Sequence, residues 1–420
     1  MKRKLLLAAL LAAMHPAYAQ DPTVDARSLG MGGAGTASAN SLNAIYKNPA
    51  ALASLPDEDF TLSLPTLALR VLDADSLADN LDTLDASANQ MNQAISQFQA
   101  TPTSGPAAIA AGDAINNFSN SLALVSNKSL TGSLFGGTML AIPSAKFSFA
   151  LALDGHAEMG GFFNYASTDQ ALITTLSADL AACGANPTAN SGSCSSANSQ
   201  FSGGEISGLQ SNFNVRGVVL KEVGITAARH FADWGEIDLG ITPKFINLTS
   251  YDFETSAQSG DSNVSLDSGD KKETLFTFDL GASKSFQMEG SNLVKTGLVA
   301  KNVLGKSTTT VLNNTVKISP QLTAGVAYVG SWFTGSADLD LIKNKAVLEG
   351  LNKDAQYLRV GAELDAWGWA QFRLGYRHDL AGNYDGLPSV GVGLFHILDL
   401  SVAAVGKKEA AVAMQLGIRF

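Results

Sequence analysis

What most narrows the folds open to this chain is a two-residue alternation of apolar and polar side chains, recurring from about residue 59 onwards. In AVAMQLGIRF, Met414, Leu416, Ile418 and Phe420 share one face while Gln415, Gly417 and Arg419 take the other. That is the mark of a strand with two unlike surfaces. Gln371, Arg373, Gly375 and Arg377 alternate with Phe372, Leu374 and Tyr376, and Arg359, Gly361 and Glu363 alternate with Leu358, Val360, Ala362 and Leu364. Asp238, Gly240, Thr242 and Lys244 do the same against Ile237, Leu239, Ile241 and Phe245. A soluble sandwich alternates too, with one dry and one solvated face, so the layout of the strands must decide.

About fourteen candidate strands can be placed, at 59–70, 133–142, 145–155, 212–231, 236–249, 273–286, 292–302, 318–331, 334–345, 355–365, 368–379, 386–396, 397–405 and 410–420. The odd-numbered connections include the long ones, 71–132, 156–211, 250–272 and 303–317, whereas the even-numbered ones are short, such as Pro143-Ser144 and Ala232-Asp233-Trp234-Gly235. Every long loop then falls at one end. An even-stranded up-and-down transmembrane barrel needs that asymmetry, with short periplasmic turns and long outer loops, and a sandwich does not. The reading is an all-β chain whose residues 59–420 form an antiparallel transmembrane β-barrel of about fourteen strands.

Cost assigns the faces. Arg or Lys on the lipid side at the bilayer midplane costs about 2–4 kcal/mol, so Arg359, Glu363, Arg373, Arg377 and Arg419 are expected to line the lumen. They fit a salt-bridged network filling it, since buried charges must be paired, or a polar lining that guides a substrate or fixes a gate. The strand 212–231 exceeds the ~9–11 residues needed to span and is expected to project above the membrane or break near Gly217. In NLVKTGLVAKN, Lys295 and Lys301 share a face with Gly297 and Val299, so that strand is expected to be displaced by a residue or two.

The connection 71–132 carries Leu77, Leu81, Leu84, Ala88, Met91, Ile95 and Phe98 at four-three spacing, one helical face. After Pro102, Gly105 and Pro106, a second helix carries Ala111, Ile115, Phe118, Leu122 and Val125. Residues 72–128 are therefore expected to form an extracellular helical hairpin over the barrel mouth, or else a coiled coil that binds a surface protein partner. A shorter helix is expected over Thr168 to Leu180, ahead of the cysteine loop.

Lys2, Arg3 and Lys4, the apolar run Leu5 to Met14, and Ala17-Tyr18-Ala19 before Gln20 predict a signal peptide over 1–19. No later stretch has the ~18 uninterrupted apolar residues of a transmembrane helix. Export plus a barrel points to the outer membrane of a Gram-negative bacterium, among lipid and lipopolysaccharide. Cys183 and Cys194, in the connection 156–211, are expected to form a disulfide worth roughly 3 kcal/mol in the chain-entropy picture, with a metal pair as the alternative. The formal net charge of -10 makes a poor grip for nucleic acid. AKNVLGKS at Ala300 to Ser307 lacks the first glycine of a phosphate loop, and the histidines are scattered, so no metal site, cofactor or enzyme activity is expected. His378-Asp379 is expected to be a solvated pair at a loop edge.

Ala26 to Ala53 contains a literal G-x-G-x-x-G at Gly30, Gly32 and Gly35, but no strand precedes the glycines, as dinucleotide binding requires. Instead RSLGMGGAGTASA from Arg27 to Ala39, Asn48-Pro49-Ala50, and the C-terminal GYRHDL, GVGLFHILDLSVAA and LGIRF resemble the FadL-like outer-membrane transporter superfamily, and within it the branch labelled conjugal-transfer TraF. The resemblance covers the whole mature chain. It implies a fourteen-stranded barrel whose N-terminal segment, 20–58 here, folds inside as a hatch, with hydrophobic molecules diffusing past it. Arg27, Gly30, Gly32, Gly33, Gly35, Asn48, Pro49 and Ala50 are its candidate hatch residues. The function expected is a channel for small hydrophobic or amphipathic molecules; the alternative is a non-transporting structural or surface-interaction protein accessory to conjugation or secretion.

Overall fold

The alternating stretches close on themselves. The structure, a computed structural model, describes residues 25–55, 60–144, 146–256 and 270–420. The expected signal peptide and residues 257–269 of the third long connection lie outside the described residues. Within the lumen come α1 (Ala26–Gly30), α2 (Ala44–Lys47) and a 3-10 turn (Pro49–Ser54). The wall follows: β1 (Thr61–Leu72), β2 (Ser129–Ile142), β3 (Ser148–Asn164), β4 (Asn212–Phe231), β5 (Ile237–Ser256), β6 (Asp270–Gln287), β7 (Leu293–Lys301), β8 (Gln321–Val329), β9 (Phe333–Asp340), β10 (Tyr357–Ala366), β11 (Ala370–Asp379), β12 (Leu387–Leu394), β13 (Leu398–Val405) and β14 (Glu409–Arg419). Each strand is antiparallel to its neighbours, and β14 pairs back on β1, from Thr61 opposite Arg419 to Leu72 opposite Glu409. Closure leaves no open sheet edge, which is the condition for standing in hydrocarbon.

The faces divide as cost demands. On β11, Phe372, Leu374 and Tyr376 are exposed, whereas Arg373 and Arg377 are buried in the lumen. All four tryptophans, Trp234, Trp332, Trp367 and Trp369, are exposed in or beside the short turns, as in the aromatic girdle of a bilayer interface. The apolar exterior above them and the closed wall place the barrel in an outer membrane, short turns towards the periplasm.

Of the two alternatives for β4, a break near Gly217 does not occur: the strand is continuous over 20 residues and pairs with β3 from Asn212 opposite Asn164 to Ala228 opposite Ser148. β3 itself runs nine residues past the expected 155, because its upper end is packed on both faces and its period-two signal fades: Ala157, His156 and Glu158 are all buried. β7 needs no displacement, since its lysine face is the lumen, where Lys301 donates to the Tyr46 carbonyl.

Above the rim, α3 (Leu77–Ala100) and α4 (Gly105–Val125) form the antiparallel hairpin, with Leu77, Met91, Ile95 and Phe98 packed on Ala111, Ile115 and Leu122. α5 (Ser167–Ala185) adds Ile173, Leu176 and Leu180 to the same core, and α6 (Ser191–Ser199) is held to it by the Cys183–Cys194 disulfide, Cα atoms 4.9 Å apart. This core continues into Phe163 and Tyr165 at the top of β3, so the helices stand on one side of the rim. The centre of the mouth is covered instead by a ribbon, Lys306–Thr309 with Thr315–Ile318, and by the connection 341–356. Among the described residues no helix is long and apolar enough to cross a membrane.

Leu374 on β11 is 64% exposed on the lipid face. Leu374→Arg should lower folding stability in bilayers by about 2–4 kcal/mol, read from reversible urea unfolding into lipid vesicles; an unchanged midpoint would contradict the assigned faces.

Candidate functional site

The lumen is crossed by residues 25–54, and the chemistry of this inner segment starts at its first cap. Asp25 accepts from the Ser28 backbone N–H (2.8 Å) and hydroxyl (2.6 Å), capping α1, and also from Asn43 Nδ2 (3.1 Å). One carboxylate thus ties the outgoing pass of the segment to its return. Gly32 and Gly33 then turn the chain with φ of +68° and +90°, a region that glycine enters without steric cost. The Gly35 and Thr36 N–H groups both donate to Asp338 Oδ2 on β9 (2.8 and 2.9 Å). On the return pass, Asn48 Nδ2 donates to the carbonyls of Thr36 (3.0 Å) and Ala282 (3.2 Å), while its Oδ1 accepts from Ala50 N–H (3.1 Å) and caps the 3-10 turn. Pro49 begins that turn, where no N–H is needed.

The wall receives this segment on glycine. Gly361 and Gly375 lie opposite each other on β10 and β11, and a Cβ on either would overlap Met31 or Gly32. Gly297 and Gly325, opposite on β7 and β8, face Thr36; Gly240 and Gly281, opposite on β5 and β6, face Pro49 and Ala50. Gly391 meets Gly30, and Gly417 meets Leu42. The segment lies backbone on backbone against the wall. Any side chain at these wall positions would have to push it off.

Charges hold the same contact from the side. The buried Arg27 grips Glu363 of β10 with two parallel hydrogen bonds, Nε to Oε2 and Nη2 to Oε1, both 2.8 Å, and its Nη1 donates to the Ser38 carbonyl (2.7 Å). Arg373, paired opposite Glu363, donates to it (2.6 Å) and to Asp399 (2.5 Å). Higher in the lumen, Arg70 and Arg377 share Glu409 (2.7 and 2.5 Å), and Arg359 holds Asp340 with two bonds (2.7 and 3.1 Å). The Tyr357 ring lies between Arg359 and Arg377, 5.0 and 4.7 Å from their guanidinium carbons.

Between the inner segment and the mouth cover lies a small cavity of about 60 Å3. Ile45 and Tyr46 form its floor, Ile318 and Val347 its roof, and Leu220 and Ile246 an apolar side. Facing them, Lys244 Nζ sits between Asp279 (3.1 Å) and Glu222 (3.4 Å), and the Tyr46 hydroxyl donates to Asp154 (2.9 Å). The roof is itself packed: Val316 and Leu348 are fully buried against each other, and Lys317 N–H donates to the Val347 carbonyl (2.9 Å).

Of the residues singled out from sequence, Arg27, Gly30, Gly32, Gly33, Gly35, Asn48, Pro49 and Ala50 all lie in the buried inner segment, and Arg359, Glu363, Arg373 and Arg377 face it or the space above. Arg419 does not join them: it is exposed at the last position of β14, beyond the level the inner segment fills. His378 and Asp379 point to opposite faces, His378 outward and Asp379 inward, where it accepts from four backbone N–H groups of the loops beside it. Among the described residues no cluster of His, Cys, Asp and Glu fits a metal ion. Sequence reading missed Asp25, Asp338, the Lys244 triad, the wall glycines and the roof 341–356. Ser336-x-Asp338-x-Asp340 on the inward face of β9 was a readable signal; the glycine pairs were not, since they need the register.

Gly375→Val should dislodge the inner segment, whereas Gly132→Val, where an added Cβ has nothing within 4 Å, should not. Overpacking of this kind costs about 1–3 kcal/mol, so trypsin cleavage at the buried Arg27 or Lys47 of the folded barrel should quicken about tenfold in the first variant only. Equal rates would contradict the packing.

The family model described as "F plasmid transfer operon, TraF, protein" matches residues 45–340. No curated protein matches the sequence. Among solved structures, a deltaS2S3 mutant of the TodX monoaromatic hydrocarbon channel is 11% identical, with a TM-score of 0.49 over 97% of this chain and 98% of that one. The Ralstonia pickettii toluene transporter TbuX is 14% identical, TM-score 0.48, over 94% and 97%, and the P. putida toluene transporter TodX 9%, TM-score 0.44, over 94% and 96%. The chain belongs to the F plasmid transfer operon TraF family.

Proposed function

We propose that the protein is an outer-membrane channel through which small amphipathic or hydrophobic molecules diffuse, with residues 25–54 as its hatch. The carrying observation is the cavity between hatch and roof, apolar at Leu220, Ile246 and Val347 and polar at Tyr46, Asp154 and Lys244. Lys244 is neutralised by two carboxylates, so the site presents hydrogen-bonding groups rather than a naked charge. That composition suits a ligand with an apolar body and one or two polar groups. A molecule entering from outside displaces the roof, occupies the cavity, and leaves when the hatch shifts from its glycine track. Diffusion down a gradient supplies the drive.

The test is entry of phenol, indole and octanoate into vesicles carrying the purified barrel. The expected result is entry above empty vesicles, accelerated when residues 25–54 are deleted. No entry by either protein would overturn the channel reading.

A second reading rests on the helices α3 to α6, which own a core of their own and stand clear of the cavity as a surface for a protein partner. Removing 77–125 and 167–199 together, since they share that core, should abolish partner binding or conjugation and leave vesicle entry intact. Unchanged conjugation would sink it.

A further inference from the structure

On the outer wall, directly behind Pro49 and Ala50, the barrel carries a groove of about 570 Å3 that faces the lipid. Its floor is the backbone of Gly240 and Gly281, the glycine pair that receives Pro49 and Ala50 from within. Small outward side chains, Ala227, Ala282 and Ala300, make it concave, and Ile241, Leu280 and Leu298 form its apolar sides. A lipid-facing barrel surface has no need of a trough, and a trough lined this way gives an acyl chain dispersion contacts on its sides as well as its floor, where a flat surface gives them on one side only.

The groove has a basic end. Arg229 lines it at the short-turn level, its guanidinium carbon 5.0 Å from the Phe147 ring and 5.1 Å from the Phe231 ring. Lys284 projects on the same face in the row of Phe231 and Ile237, its Nζ 5.3 Å from the Phe286 ring. Neither cation is paired with a carboxylate among the described residues. Near the interface a lipid-facing cation costs only about 0–1 kcal/mol, and there it meets phosphate. Aromatic rings fix both heads at that depth instead of leaving them to wander into water.

We propose that the groove seats one glycerophospholipid of the periplasmic leaflet, an acyl chain lying over Gly240 and Gly281 and the phosphate held by Arg229 and Lys284. The short-turn level of the two cations selects that leaflet over lipopolysaccharide. The site is independent of what passes through the lumen.

Native mass spectrometry of the full barrel, purified in detergent and given phosphatidylglycerol, reads the site. Wild type should retain one lipid preferentially. Each basic residue near a membrane surface contributes on the order of fivefold, so Arg229→Ala with Lys284→Ala should weaken retention about tenfold or more. Ala300→Trp, which fills the groove and keeps both cations, should weaken it too, whereas Lys221→Ala, an exposed cation midway along β4 and away from the groove's lining, should not. Folding is checked for each by heat-modifiable migration. Retention as in wild type by both the double variant and Ala300→Trp, or equal loss in Lys221→Ala, overturns the proposal.

Discussion

Everything inside this barrel depends on how closely a polypeptide backbone can approach a sheet. A strand with side chains on its inner face holds a neighbour at side-chain distance. Three facing pairs of glycines, 361 with 375, 297 with 325 and 240 with 281, remove that spacer where residues 31, 36 and 49–50 pass. The inner segment can then satisfy its backbone donors on wall residues such as Asp338 and Ser389, as burial of a polypeptide backbone requires.

The ion pairs add direction to that contact. Glu363 is shared by Arg27 of the segment and Arg373 of the wall, so the carboxylate stays paired if Arg27 leaves. A buried pair broken on one side normally strands a charge at a cost of about 3–5 kcal/mol; here the wall is left compensated by Arg373. Such an arrangement holds the segment in register while keeping its departure affordable, which is what a closure that moves would need. The roof is built otherwise, from the apolar contacts of Val316, Leu348 and Leu351 with Leu220 and Leu248.

The barrel was legible because lipid and lumen impose opposite demands on successive residues. Each of the fourteen strands overlaps a stretch that the alternation marks, though the ends of several differ, and the faces of Arg359, Arg373 and Arg377 follow from the cost of charge in hydrocarbon. Legibility failed where that contrast ends. At the top of β3 both faces are buried, so Ala157, His156 and Glu158 read as loop. The roof 341–356 hid because Val347, Leu348 and Leu351 follow neither a strand nor a helix period, being buried by loop packing. Arg419 shares the alternation of β14 but sits past the filled part of the lumen, a level that periodicity does not report. The inner segment's glycines could be counted, yet which wall glycines meet them depends on strand register, and register is a property of the closed sheet.

The central claim is that residues 25–54 must leave the wall for a molecule to pass. A Cβ at Gly30 would lie 2.7 Å from Ser401 Oγ of β13, close enough for Gly30→Cys and Ser401→Cys to form a disulfide with little movement. Entry of indole into vesicles carrying this double variant should fall to the rate of empty vesicles on oxidation and recover on reduction, with wild type unaffected by either treatment. The same entry rate in the oxidised and reduced states would show that passage does not require the segment to move.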